Sequence, residues 1–464
     1  MIKRYIVLFL IGSHFASRPE TQTIQADRVS GALLGSAIGD AFGQVTSSFQ
    51  SYKCLVAEYG QEGICSLSQL KEEDWFTDAT GSKKLPFSRN TMISSASCSL
   101  LGLMRQKGTT KEEFAYQMAQ SLLCFYGEEN IVWDAHFAHW LKANKWPLKE
   151  EDVPQMTQCY YWMAQGGDNR IHYCYHNQAD ADALYRAWPA AIVYADNVNE
   201  ARKCADYLTM MTHAHPTARA ATAAYVTGLA VLLNGGTVKD AIEQMIREAE
   251  KFDSIELLAK KSAVKITDES AFRPDLVANE RLLTSDLIRY AVFLAQAGRS
   301  PVEVFGANAK KQENNRSFRG YLLGYQADEA VAAAVYLLAR NQQNIKKIIA
   351  EGSLASGNTA LITSLATALA GAHVGFDIMV KEDLNAVITA LENSDKLVAL
   401  PKVIIECHDM PVVSFGPDLK NVSNEDAAQY YNLTTNESIG WKTFKRIFLA
   451  GGLALGAYYL WSQS

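Results

Sequence analysis

Gly352–Gly375, GSLASGNTALITSLATALAGAHVG, decides the fold of this chain. After Asn358 the run consists, apart from His373, of small, apolar and hydroxyl residues, with no Asp, Glu, Lys or Arg before Asp377. Apolar or very small side chains cover every side of such a helix, which marks it as buried all round. Thr359, Thr363, Ser364 and Thr367 make it too polar to span a membrane. Within a protein those hydroxyls can bond to the preceding helical turn, and the small side chains admit close neighbours. The loop Ser353–Gly357 is expected to aim backbone N–H groups above the helix start. The stretch therefore reads as a central helix with a site at its N-terminal end.

Its natural partner lies near the other end of the sequence. Asp27 is expected to cap a helix that continues RVSGALLGSAIGDAFG, in which Gly31, Gly35, Gly39 and Gly43 recur every fourth residue on one face. Each glycine costs up to about 1 kcal/mol of helix propensity relative to alanine. Close approach of a second helix offsets that cost and would place Asp40 where the two helices meet.

Between and beyond these helices the pattern is helical. LYRAWPAAIVYADNVNEARKCADYLTM, a Thr-His turn, and PTARAATAAYVTGLAVLLNGG follow one another, the last stopped by Gly235 and Gly236. VKDAIEQMIREAEKF, NERLLTSDLIRYAVFLAQAG, DEAVAAAVYLLARN and QNIKKIIAEG are amphipathic. Thr110 and Glu113 form a capping box. The one strand-like run is KVIIECHDMPVVSF, after which the chain reads as irregular and polar. The fold class is all-α, one compact helical domain over 26–395 with short peripheral strands at most, followed by a polar linker over 396–440.

The two ends carry other signals. Residues 1–25 read as a hydrophobic leader, with Lys3 and Arg4 before an apolar stretch in the manner of a short signal peptide. Residues 441–464 place Lys442, Lys445 and Arg446 before an uncharged run closed by Tyr458, Tyr459 and Trp461, the pattern of a membrane anchor. Its fifteen residues from Ile447 to Trp461 rise only ~22 Å as a helix, against a hydrocarbon core of ~30 Å. Sequons stand at Asn421, Asn432 and Asn436.

Composition limits the partners. Across 464 residues the hydrophobic share is 48%, enough for a substantial core, and the net charge of −6 argues against nucleic acid as the main partner. Neither a Walker loop nor a dinucleotide fingerprint occurs. None of the eight cysteines falls in a CxxC pair, so a structural zinc site is not indicated. His136, His139, His172 and His176 have no acidic ligand at metal-site spacing beside them.

Several of these pieces resemble the ADP-ribosylglycohydrolase family. GALLGSAIGDAFG is similar to the family's first helix, LYRAWP with MTHAHP to its middle signature, and GYQADEAVAAAVYLL with Gly352–Gly375 to its closing block. The resemblance implies an all-α fold that holds two magnesium ions, which position the ribose and an attacking water. It implies one ligand motif Thr-Asp-Asp-Thr, a second motif Asp-x-Asp-Thr, and an assisting glutamate after the first helix. Magnesium, a hard cation, requires such carboxylates.

Here the first motif matches Ser88, Arg89, Asn90 and Thr91; the second matches Asn358, Thr359, Ala360 and Leu361; Ser47 stands at the glutamate position. The metal-binding aspartates are replaced and Arg89 adds a positive charge. A cation facing a dication at ~4 Å is repelled by ~8 kcal/mol even at an effective dielectric of 20. The magnesium expected of the family is therefore read as lost, leaving no cofactor. An alternative alignment through Thr77, Asp78 and Thr80 would bring Asp78 to the site and leave an active hydrolase with rearranged residues. The candidate ligand-binding residues are Asp40, Asp78, Ser88, Arg89, Asn90, Thr91, His213, Gly357, Asn358 and Thr359. The expected partner is an ADP-ribose-like ligand or an ADP-ribosylated protein, with membrane association through the tail. A scaffold with a closed pocket is the third reading.

Overall fold

The glycines on the first helix bring two backbones into contact. In the computed structural model, which describes residues 20–47, 52–78, 81–88, part of 91–105, 179–257, 282–305 and 322–408 with a few single positions excepted, α1 spans Glu20–Ser47. The central helix, numbered α11 in chain order, spans Thr359–Val374. They run antiparallel and make the most extensive helix contact of the fold. A Cβ added at Gly31 would overlap the Gly371 carbonyl, and one at Gly35 would stand 2.5 Å from the Thr367 carbonyl oxygen. At Gly43 it would stand 2.6 Å from Ala360 Cα. These are backbone atoms and cannot swing aside. Gly31 and Gly371 are mutually in contact, so the seam is closed from both sides.

The hydroxyls of α11 behave as its composition requires. Thr359, Thr363 and Thr367 Oγ1 donate to the carbonyls of Ala355, Thr359 and Thr363 at 2.8, 2.8 and 2.6 Å. Ser364 Oγ bonds Ser36 Oγ of α1 at 2.8 Å. No hydroxyl in this group is buried without a partner, which removes the main cost of a polar central helix.

The remaining helices wrap this pair. They are α2 (Tyr52–Tyr59), α3 (Asp182–Ala187), α4 (Ala190–Val193), α5 (Val198–Met210), α6 (Pro216–Leu233), α7 (Val238–Glu250), α8 (Thr284–Gln296), α9 (Ala327–Asn341), α10 (Ile345–Gly352), α12 (Phe376–Lys381), α13 (Leu384–Ala390) and α14 (Ser394–Cys407). α9, α10 and α6 pack directly on α11. The amphipathic α7 closes the outside over Val238, Ala241, Ile242 and Met245, entered through a Thr237–Asp240 capping box. A two-stranded hairpin, β1 (Phe76–Thr77) with β2 (Lys83–Lys84), is the only sheet among the described residues. The fold is all-α.

The structure departs from the sequence reading in three places. α1 begins at Glu20, inside the expected leader and ahead of Asp27. Asp27 caps α12 instead, accepting from the Asp377 N–H at 2.9 Å, a partner 350 positions away. The segment read as strand-like and then as linker from 396 is helical to Cys407. Its β-branched run masked a helical stripe, Leu397, Leu400, Ile404 and Cys407, which is the buried face. Most of the described amides around the loop before α11 are turned inward. Leu354 and Ala355 N–H bond back to Glu351 and Gly352, Asn358 N–H to Leu323 O, and Thr359 N–H to Gly357 O.

Arg89, Asn90, the Thr110 capping box, the four-histidine segment, residues 1–19 with most of the leader, and residues 409–464 with the sequons and tail lie outside the described residues. Among the described residues no helix is long and apolar enough to cross a membrane.

The seam yields a test. By propensity alone Gly35→Ala would stabilise α1 by about 1 kcal/mol; the contact with Thr367 reverses the sign, to a net loss of about 1–3 kcal/mol. Urea denaturation measures it, and a gain would contradict backbone contact at this position.

Candidate functional site

The glycine seam carries Asp40 to the end of α11 at which that helix begins, since Gly39 lies against Thr363 and Gly43 against Thr359 and Ala360. Asp40 is fully buried. Its carboxylate accepts from Ser88 N–H and Oγ–H at 2.9 and 2.5 Å, and from Thr91 N–H and Oγ–H at 3.2 and 2.7 Å. It therefore caps the helical segment that starts at Thr91. Burial pushes its pKa up from 3.8 to about 6, partly opposed by those four hydrogen bonds. The chain reaches Ser88 from the hairpin along Leu85, which bridges Leu391 in parallel.

Ser88 and Thr91, the first and last of the four positions matched to the first motif, therefore both meet Asp40. Asp78 sits in the β1–β2 turn, where its Oδ1 accepts from Ser82 N–H at 3.0 Å and its backbone closes the turn on Ser82 and Gly81. The alternative alignment thus places Thr77 on β1 and Asp78 in the hairpin turn. Ser47, at the glutamate position, is exposed and donates to Gln44 O.

Across the seam, Asn358 caps α11. Its Oδ1 accepts from Leu361 N–H at 3.3 Å and its Nδ2 donates to Tyr185 Oη at 3.0 Å. Gly357 has φ of +129°, and a Cβ there would overlap the Leu323 carbonyl, so only glycine lets this loop pass. Gly357 and Asn358 are half-buried, whereas Thr359 and the residues after it on α11 are buried through Ala372. The residues leading into α11 are thus partly open to solvent, as are His373 and Val374 at its other end.

His213 is buried, with Arg186 Nη2 3.3 Å from its Nδ1, while Arg186 Nε donates to Leu208 O. His215 begins α6, its Nδ1 accepting from Thr217 N–H. Asp40, Ser88 and Thr91 form one group, and Gly357, Asn358 and Thr359 a second at the same end of the seam. His213 is bonded into the α3–α5 region through Arg186. Tyr185 was not read from the sequence as a site residue. It lies within LYRAWP, but a tyrosine one position before an arginine on a short helix carries no signal of its partner.

The ADP-ribosylglycohydrolase family profile matches residues 21–408. The chain belongs to the ADP-ribosylglycohydrolase family. A solved structure of an ADP-ribosylglycohydrolase-related protein complex is similar at 17% identity and a TM-score of 0.48, covering 83% of this chain and 99% of that chain. No curated protein sequence matches the chain significantly.

Among the described residues, the side chains at this end do not fit a pair of magnesium ions. Asn358 is neutral, and its one side-chain oxygen, which accepts from Leu361 N–H at 3.3 Å, brings no charge to offset a dication. The Asp40 carboxylate is taken up by four donors. Among the described residues no three His, Cys, Asp or Glu gather as a metal site would need.

The raised pKa of Asp40 fixes a pH dependence. The folded protein holds this proton more tightly than the unfolded chain does. The stability associated with it is therefore full below about pH 4 and is lost as pH rises through about 6, by about 3 kcal/mol. Asp40→Asn flattens that interval in urea midpoints measured from pH 4 to 7; an unchanged slope would assign it elsewhere.

Proposed function

We propose that this family member has lost dinuclear magnesium catalysis and keeps its site as a receptor for ADP-ribose, a related nucleotide or an ADP-ribosylated protein. The observation that carries this reading is Asn358. It occupies the position matching a metal-ligating aspartate of the family, caps α11 with its only side-chain oxygen, and remains half-buried at the solvent edge. An amide there can bond a sugar hydroxyl or a phosphate oxygen but brings no charge to offset a dication. Arg89, one residue beyond Ser88, supplies a guanidinium suited to a phosphate or carboxylate. Under the same reading the basic-flanked apolar tail at 441–464 tethers the receptor to a membrane.

A closed scaffold is the second reading. What favours it is the saturation of Asp40 by Ser88 and Thr91, which leaves that carboxylate turned into the protein rather than towards a ligand.

Calorimetry with ADP-ribose, in magnesium and in EDTA, separates the readings. The receptor binds equally in both, loses affinity in Arg89→Ala, and releases no ADP-ribose from modified arginine or serine substrates. Absence of binding selects the scaffold. Magnesium-dependent release of ADP-ribose would overturn both.

A further inference from the structure

Hydrogen-bond logic fixes which way the Asn358 amide faces. A backbone N–H can only donate, so the atom facing Leu361 N–H at 3.3 Å is Oδ1. The nitrogen then faces Tyr185 Oη at 3.0 Å, and the tyrosine oxygen accepts. An amide nitrogen carries two protons. One goes to Tyr185, and among the described residues Nδ2 has no other acceptor.

The surroundings hold this geometry rigidly. Ala181, beside the start of α3, donates to Tyr325 O at 3.1 Å, and Ala327 N–H donates to Ala179 O at 2.9 Å. The loop pinned in this way includes Leu323, whose carbonyl accepts from Asn358 N–H at 2.8 Å. It also includes Gly324, at φ of +70°, where a Cβ would stand 3.5 Å from Asn358 Cβ. Tyr185 and Asn358 are thus referenced to one short segment from opposite sides. Tyr185 itself is buried.

We propose that Tyr185 is a positioning residue of the ligand site, fixing the Asn358 amide so that the start of α11 presents an N–H donor to an acceptor oxygen of the ligand. The inference rests on the ligand-binding reading above and sharpens it. A carboxylate at this position would select a cation; the amide, held in this orientation, selects oxygen acceptors such as ribose hydroxyls or phosphate oxygens. Tyr185 acts through Asn358 in this account.

Calorimetry with ADP-ribose on the full chain, beside thermal melts of the same samples, tests it with two variants. Asn358→Asp keeps an oxygen for Leu361 N–H and lets Tyr185 donate instead of accept, and aspartate caps a helix as well as asparagine. Its melting temperature stays that of the wild type, while ADP-ribose affinity falls at least about tenfold because a donor has become a charged acceptor. Tyr185→Phe releases the amide and weakens binding by about three- to tenfold. A role confined to capping would leave affinity unchanged in Asn358→Asp. Wild-type binding with either variant unaffected overturns this inference alone. Failure of the wild type to bind ADP-ribose overturns the receptor reading and this inference with it.

Discussion

Backbone contact between α1 and α11 is the constraint on which the rest of the structure depends. Four glycines at a spacing of four let one helix lie against the carbonyls of another, and Gly371 answers from the opposite side. At that separation no long side chain fits between the helices. Polar groups in the seam must therefore be short and must find partners within one turn or directly opposite. The threonines of α11 and the Ser36–Ser364 pair do so. The antiparallel arrangement also brings Asp40 and Asn358, more than three hundred residues apart in sequence, to the same end of the bundle.

Two polar groups lie at that end among the described residues. Asp40 is a carboxylate whose burial and four donors make it a structural cap for the segment starting at Thr91. The other position holds an amide that closes α11 and leans on Tyr185. Both groups hold their helices through hydrogen bonds to backbone N–H groups. Such caps keep the helices in place, because an N-cap requires only an oxygen acceptor. Catalysis through a dication requires net negative charge as well.

Much of this was legible in the sequence, because helix pairing leaves a periodic mark. The glycine spacing of α1, the uncharged run of α11 and the amphipathic spacing of α7 are local patterns, and each produced the element it implied. The rest depended on contacts remote in sequence. Nothing near Asp27 says that it caps α12, and nothing near Tyr185 says that it faces Asn358. The amides of the loop before α11 looked available until Leu323 and the end of α10 were seen to accept from them. In α14 a β-branched run concealed a helical stripe that was present in the residues all along.

The account stands or falls on whether two divalent ions can sit above Asn358. Crystals soaked in manganese, whose anomalous signal locates the ion directly, decide the matter. The expected map shows no manganese between Asp40 and the start of α11. A pair of manganese peaks there, coordinated by side chains of this chain, would contradict it.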